Sequence, residues 1–235
     1  MTDLGSLLDA EEPQITSGPG RPDKYVGDDG KVPSVTTITG ILNVYLAKWA
    51  NEHGLAGRDL AEIRQYERAT DIGNYIHKVV VATIHGAAYP PPLQHLRPSQ
   101  QEGVDKCLTE WHRWYTNTRS FEFEVTELPL VSNQHRFGGT LDAVARDRDG
   151  KLVLVDWKTS KGIYADYVLQ VAAYGLLWNE TQLEPITGGY YIVRFSKEYG
   201  DIETRYYPEL ERAEKAFLLL RELYDDIKGL EKRTK

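Results

Sequence analysis

Apolar residues in the first half of the chain recur at helical spacing. Ile72, Ile76, Val79, Val80 and Thr83 trace one stripe, which predicts a helix from Asp71 to about His85. Ser34, after Pro33, is a good N-cap and predicts a helix to about residue 52, stopped by Gly54. A polar, charge-laced helix is expected over 56–68. Pro90-Pro91-Pro92 imposes a loop, after which Ser99 caps a long helix carrying Val104, Leu108, Trp111, Trp114 and Tyr115. Ahead of these, residues 1–23 show no period and are rich in Asp, Glu, Gly and Pro, as a flexible tail is. Lys24-Tyr25-Val26 and Lys31-Val32 flank a Gly/Asp turn, so a short hairpin is expected there.

The period changes to two at Phe121. Phe121-Glu122-Phe123-Glu124-Val125 alternates as a strand does, and 136–145 forms a second strand opening through Gly138-Gly139. Asp147-Arg148-Asp149-Gly150 is a tight turn. Leu152-Val153-Leu154-Val155 is continuously apolar, which predicts a strand buried on both faces. A helix over about 166–179, two strands over about 188–196 and 201–207, and a last amphipathic helix opened by Pro208 complete the pattern. The order is helices followed by βββαββα. The expected fold is α/β, one domain over 24–235, with a mainly helical part (24–118) and an αβ core (119–228) built on a mixed sheet. The basic end, Lys232-Arg233-Thr234-Lys235, reads as a frayed tail.

Bulk properties narrow the picture. The formal net charge is −7, which weighs against an indiscriminate nucleic-acid coat. It leaves room for acids that hold divalent cations. The single Cys107 excludes an internal disulfide framework and a self-contained four-cysteine iron–sulfur cluster. No apolar run reaches membrane-helix length and the N-terminus lacks signal-peptide character, so an intracellular location without membrane association is expected.

The candidate chemistry sits at the end of the apolar strand. Asp156 and Lys158 are two apart, so period two puts both on one face, with Trp157 on the other. Asp142 lies late in the preceding strand. The Asp147–Gly150 turn makes the two strands adjacent, so the two carboxylates can converge. Such a pair repels unless a hard cation neutralises it, which points to one or two Mg²⁺ or Mn²⁺ ions. Lys158 could then orient a water or stabilise developing charge. An Asp–Lys pair alone is usually surface decoration. A charged pair directly after four aliphatic residues is an awkward place for mere solubility, and nearby glycines would let a substrate backbone approach closely. Gln170 and Tyr174, four apart, share a face of the following helix.

Gly138-Gly139-Thr140-Leu141-Asp142, Val155-Asp156-Trp157-Lys158-Thr159-Ser160, and Gln170 with Tyr174 together resemble the PD-(D/E)XK nucleases. The likeness is to the RecB-type exonuclease branch, with its GxxD, DxK and QxxxY elements, and to mitochondrial genome maintenance exonucleases and phage RecB-like nucleases. Pro33-Ser34-Val35-Thr36 and the helical His77 match further features of that group. The resemblance implies a restriction-endonuclease-like core. It implies Asp142, Asp156, His77 and the Trp157 carbonyl as metal ligands, and Lys158 as the catalytic lysine. Gln170 and Tyr174 would position the site or the DNA strand. Glu127 sits where some members place another acid, which binds metal directly or through water. Leu141 stands where the superfamily name has Pro, and Cys107 cannot supply the cluster that iron–sulfur members carry.

The implied activity is metal-dependent hydrolysis of DNA, favouring an exonuclease on single strands or ends, in recombination, repair or phage DNA processing. Recombination or replication proteins are conceivable partners. The rivals are a structure-specific or nicking endonuclease and a non-catalytic DNA-binding protein on the same fold. Tyr164, Tyr167, Lys161 and Arg136 are candidate DNA contacts, and Arg194 and Lys197 read as solvated surface charge that could meet phosphates. Trp111, Trp114 and Tyr115 fit a buried helix stripe better than a base-stacking platform.

Overall fold

The computed structural model describes residues 16–17, 21–42, 51, 54–57, 68–117 and 121–233. Most of the expected 1–23 tail, the latter part of the 34–52 helix, nearly all of the 56–68 helix and the last two residues of the basic end lie outside these.

Strand β1 (Thr16–Ser17) precedes the hairpin of β2 (Tyr25–Gly27) and β3 (Gly30–Val32). Helix α1 (Val35–Thr39) is capped by Ser34, whose hydroxyl accepts from the Thr37 N–H at 3.0 Å. The α-helix ends at Thr39 and tightens into a 3-10 turn at Gly40–Leu42, well short of the expected length. Helices α2 (Ala69–Ile84) and α3 (Pro98–Asn117) follow. Pro98, rather than Ser99, opens α3: the Arg97 N–H donates to Gln100 Oε1 at 3.0 Å, and proline has no N–H to leave unpaired in the first turn.

The rest is β4 (Glu122–Ser132), β5 (Phe137–Arg146), β6 (Leu152–Lys158), α4 (Ala165–Thr181), β7 (Tyr190–Phe195), β8 (Ile202–Tyr207) and α5 (Glu211–Arg233). Pro208 lies outside α5, whose first N–H is taken instead by the Glu209 carboxylate at 3.1 Å. Lys232 and Arg233, expected in a frayed end, continue α5.

The sheet order is β1-β4-β5-β6-β7-β8, with β6 and β7 parallel and β1 parallel to β4; the other pairs are antiparallel. Thr16 and Ser17, expected in a mobile tail, add an edge strand opposite Val125 and Thr126. Two cores fill the layers. On one face α1, α4 and α5 pack over Leu141, Val144, Leu152, Leu154 and Ile192. On the other, α2 and α3 cover Ala143, Ala145, Val153, Val155, Trp157 and Val193. β6 alternates between the two cores, as a strand buried on both faces must. Trp111, Trp114 and Tyr115 join the second core, with Trp111 fully buried. No helix among the described residues is long and apolar enough to cross a membrane.

Candidate active site

The candidate carboxylates sit where the sheet opens. β5 and β6 pair from Arg146↔Leu152 to Ala143↔Val155. The next opposed positions by that register are Asp142 and Asp156. There the ladder gives way, and Asp142 Oδ2 accepts from the Trp157 N–H at 2.8 Å. Side-chain alternation along β5 also breaks at this point, since Leu141 and Val144 both face the first core while Ala143 and Ala145 face the second. Asp142 thus stands at the switch between faces and reaches toward α2, where His77 Nδ1 lies 3.6 Å from its Oδ1.

On the other side of Asp142 is β4. Its register places Glu127 opposite Asp142, between the pairs Thr126↔Ala143 and Leu128↔Leu141. Glu127 has φ 50°, a left-handed conformation that costs a non-glycine residue about 1 kcal/mol or more and that concentrates at functional sites. Ligand atoms of His77, Glu127 and Asp142 all lie within 4.8 Å of one another. With Arg21, Asn74, Lys78 and Val81 these residues line a cavity of about 410 Å³. Asn74, His77, Lys78 and Val81 share one face of α2 through i, i+3 and i+4 spacing, which is the signal that could have flagged Asn74 and Lys78 from sequence. Arg21 has no such signal, because it falls in what reads as a tail.

Asp156 and Lys158 share a face, as period two requires. Lys158 Nζ lies 2.6 Å from Asp156 Oδ2, in an ion pair, and 5.1 Å from the centre of the Tyr167 ring. The buried Oδ2 makes no regular hydrogen bond, and the Lys158 ammonium is the charge it faces. Burial, reinforced by the Asp142 charge, raises the Asp156 carboxyl to about 6, although Lys158 pulls the other way. Burial and the Asp142 carboxylate push Glu127 up to about 7. Asp142 is the acid that stays ionised: burial opposes its charge, but His77, Lys158 and the Trp157 N–H outweigh it and hold its carboxyl below the usual range. Burial likewise disfavours the charged forms of His77 and Lys158, and their carboxylate neighbours overcome it, raising both.

Helix α4 covers the site. Gln170 Nε2 donates to Thr39 Oγ1 at 3.4 Å, tying α4 to α1. The Tyr174 ring lies against Gly139, where an added Cβ would stand 2.7 Å from Cε1 and 3.0 Å from Val35 Cγ2. Gly139→Ala should therefore displace Tyr174 and cost about 1–3 kcal/mol through overpacking. Urea denaturation checks this, and an unchanged midpoint would refute the tight contact. Gly138 is equally confined, with Tyr25 Cβ 2.5 Å from the position its own Cβ would take.

The other candidates scatter. Tyr164 and Tyr167 meet edge to face at 5.5 Å beside Lys158. Lys161 is exposed and pairs with Glu198 at 2.7 Å. Arg136 sits at the β4–β5 turn, paired with Asp29 at 2.7 Å. It lies six residues, roughly 20 Å along the strand, from Asp142. Arg194 is buried rather than solvated, held by both oxygens of Asp201 at 3.0 and 2.8 Å.

A family model described as the PD-(D/E)XK nuclease superfamily matches residues 46–233. No curated protein matches. Among solved structures, a provisionally assigned exonuclease from Eubacterium rectale is 10% identical with a TM-score of 0.42, over 65% of this chain and 64% of that one. This chain therefore spans just under two thirds of that protein's length. The SSO0001 protein is 18% identical with a TM-score of 0.35, over 78% of this chain and 85% of its own. An alkaline exonuclease from Laribacter hongkongensis is 15% identical with a TM-score of 0.34, over 72% of this chain and 91% of its own.

Proposed function

The chain belongs to the PD-(D/E)XK nuclease superfamily, and from that premise we propose that it is a metal-dependent DNA nuclease of the RecB-type branch, acting as an exonuclease on single strands or DNA ends. One observation carries this reading: His77, Glu127 and Asp142 gather their ligand atoms within 4.8 Å, beside an Asp156–Lys158 pair at 2.6 Å. A helical histidine at the carboxylates supports the branch assignment.

The residues fit a divalent cation. Asp156 Oδ2 is buried with no regular hydrogen bond, and burial together with the Asp142 charge raises the Asp156 and Glu127 carboxyls, a repulsion that a bound cation would relieve. Oxygen-rich ligands with one imidazole suit Mg²⁺ or Mn²⁺. Asp142, Asp156 and His77 would hold the ion, with Glu127 and the Trp157 carbonyl completing the set. When bound, the ion supplies positive charge to the phosphoryl oxygens and acidifies a nearby water. Lys158 remains an ammonium among carboxylates and can donate to the attacking water or to the phosphoryl oxygens as charge develops. Tyr174 and Gln170 fix the wall against which the strand lies, and Tyr164 and Tyr167 offer ring faces to its bases.

Proton competition gives the metal site a pH dependence. Glu127 and Asp156 have raised carboxyl values, so their contribution to metal-free stability is present at low pH and is lost as pH rises through about 6 to 7. Over the same window the deprotonated site gains affinity for cations. Mn²⁺ should therefore raise the melting temperature more at pH 8 than at pH 5.5, as read by differential scanning fluorimetry. An equal shift at both pH values would rule out these acids as ligands.

The choice of substrate is tested on end-labelled linear single strands and covalently closed circular duplex, each with Mg²⁺, Mn²⁺ or EDTA. The exonuclease reading requires metal-dependent loss of linear DNA with the closed circle intact. Nicking of the circle makes the protein an endonuclease. Binding without cleavage of either makes it a non-catalytic binder.

A further inference from the structure

A second cavity, of about 320 Å³, opens beside the catalytic one, between the β2–β3 hairpin, α1 and Tyr174. Arg21, Lys24 and Lys31 line it, with the hydroxyl groups of Ser34, Thr36 and Thr37. Among the described residues, Asp23 is the one acid on its wall. Among the described residues, none of the three basic side chains carries a hydrogen bond or an ion pair. In a chain of net charge −7, a wall with three cations and one acid stands out, and only Arg21 also has the charges of Glu127 and Asp142 within its second cavity.

The scaffold beneath them is firmly anchored. Tyr25 Oη and Thr140 Oγ1 share a hydrogen bond of 2.8 Å, and Tyr25 packs on Gly138. The hairpin turn is tied to the β4–β5 turn by the Asp28 N–H donating to Asn133 Oδ1 at 3.0 Å and by the Arg136–Asp29 ion pair. The lysines therefore project from a fixed platform, which lowers the ordering cost of binding an anion. Arg21 lines both this cavity and the one holding His77, Glu127 and Asp142. Tyr174 lines this cavity too, and the charges of Asp142 and Asp156 reach its hydroxyl.

We propose that this cavity is a backbone subsite, in which Arg21, Lys24 and Lys31 hold an internal phosphodiester of the strand whose neighbouring phosphate lies at the carboxylates. The inference rests on the nuclease reading for the identity of the strand. Arg21, common to both cavities, marks the path between them, and a continuous path favours an internal phosphate over a terminal one. The Ser34 hydroxyl is bonded to those of Thr36 and Thr37 at 3.0 and 2.8 Å, which uses two of the three hydroxyl protons and leaves one to donate to the same oxygens.

The test is the affinity of a fluorescent single-stranded oligonucleotide for the full chain, titrated over a range of salt in EDTA, where no cleavage occurs. Lys24→Ala/Lys31→Ala should weaken binding roughly tenfold and make the log–log salt slope shallower by roughly 1.4, the amount for two lost single-strand phosphate contacts. Lys24→Arg/Lys31→Arg should restore both, and kcat on metal-loaded enzyme should stay at the parental value while KM rises. An unchanged slope, or a parent chain that does not bind the oligonucleotide, overturns the proposal. So does an effect confined to strands bearing a terminal phosphate, which would make the cavity an end-recognition pocket. Because binding is read without metal, a chain that binds with the expected slopes yet cuts nothing would sink the nuclease reading alone.

Discussion

Replacing Lys158 with methionine should slow phosphodiester cleavage by about 10²- to 10³-fold or more, with the fold retained. Methionine keeps most of the stem and removes only the charge. That charge is 2.6 Å from Asp156 and stays on the amine because two carboxylates outweigh its burial. Its loss takes away the donor that the proposed function gives to the reacting phosphate. It also leaves Asp156 without its cation, so that acid will hold its proton more tightly still. Lys158→Arg should recover little, since a planar fork cannot occupy the place of a compact ammonium. Single-turnover rates at saturating metal are the measurement, and a loss of less than tenfold would remove Lys158 from the chemistry.

The second large effect concerns stability. Trp111→Ala should destabilise the protein by about 3–5 kcal/mol. Trp111 is fully buried and meets Trp114, Tyr115, Trp157 and Phe195 at ring-centre distances of 5.6, 5.1, 5.3 and 5.9 Å. Losing it opens a large cavity directly under Trp157, whose backbone N–H holds Asp142. The substitution should therefore weaken metal binding as well, through a residue that touches no ligand. Guanidinium denaturation followed by circular dichroism gives the first effect and calorimetric titration of Mn²⁺ the second. A loss below about 1 kcal/mol would mean that this aromatic cluster does not support the site.

Much of the fold was legible because its signals are local. Four aliphatic residues before Asp156 mark a strand buried on both faces, the Asp147–Gly150 turn sets the β5–β6 register, and that register opposes Asp142 to Asp156. Of the α2 stripe, Ile72, Ile76 and Val80 pack in the core beside the sheet, and Val79 is buried. What escaped depends on long-range geometry. Thr16 and Ser17 have no strand pattern of their own and are placed by pairing with the edge of β4. β4 runs seven residues beyond Val125, through Glu127 and Pro129, because pairing with β5 overrides an unpromising local sequence. The left-handed turn at Glu127, which brings that acid up to His77 and Asp142, leaves no trace in residue order. Arg136 and Arg194 looked alike as basic residues near strand ends, yet one caps a distant turn and the other is buried between two acids.

The central claim is that a divalent cation held by Asp142 and its neighbours drives hydrolysis of DNA. Its most direct test is incubation of the purified chain and its Asp142→Asn variant with end-labelled single-stranded DNA, in Mn²⁺ and in EDTA. The expected result is progressive shortening by the parent in Mn²⁺ alone, and none by the variant in either buffer. DNA left intact by the parent in Mn²⁺, or shortened equally in EDTA or by Asp142→Asn, would contradict it.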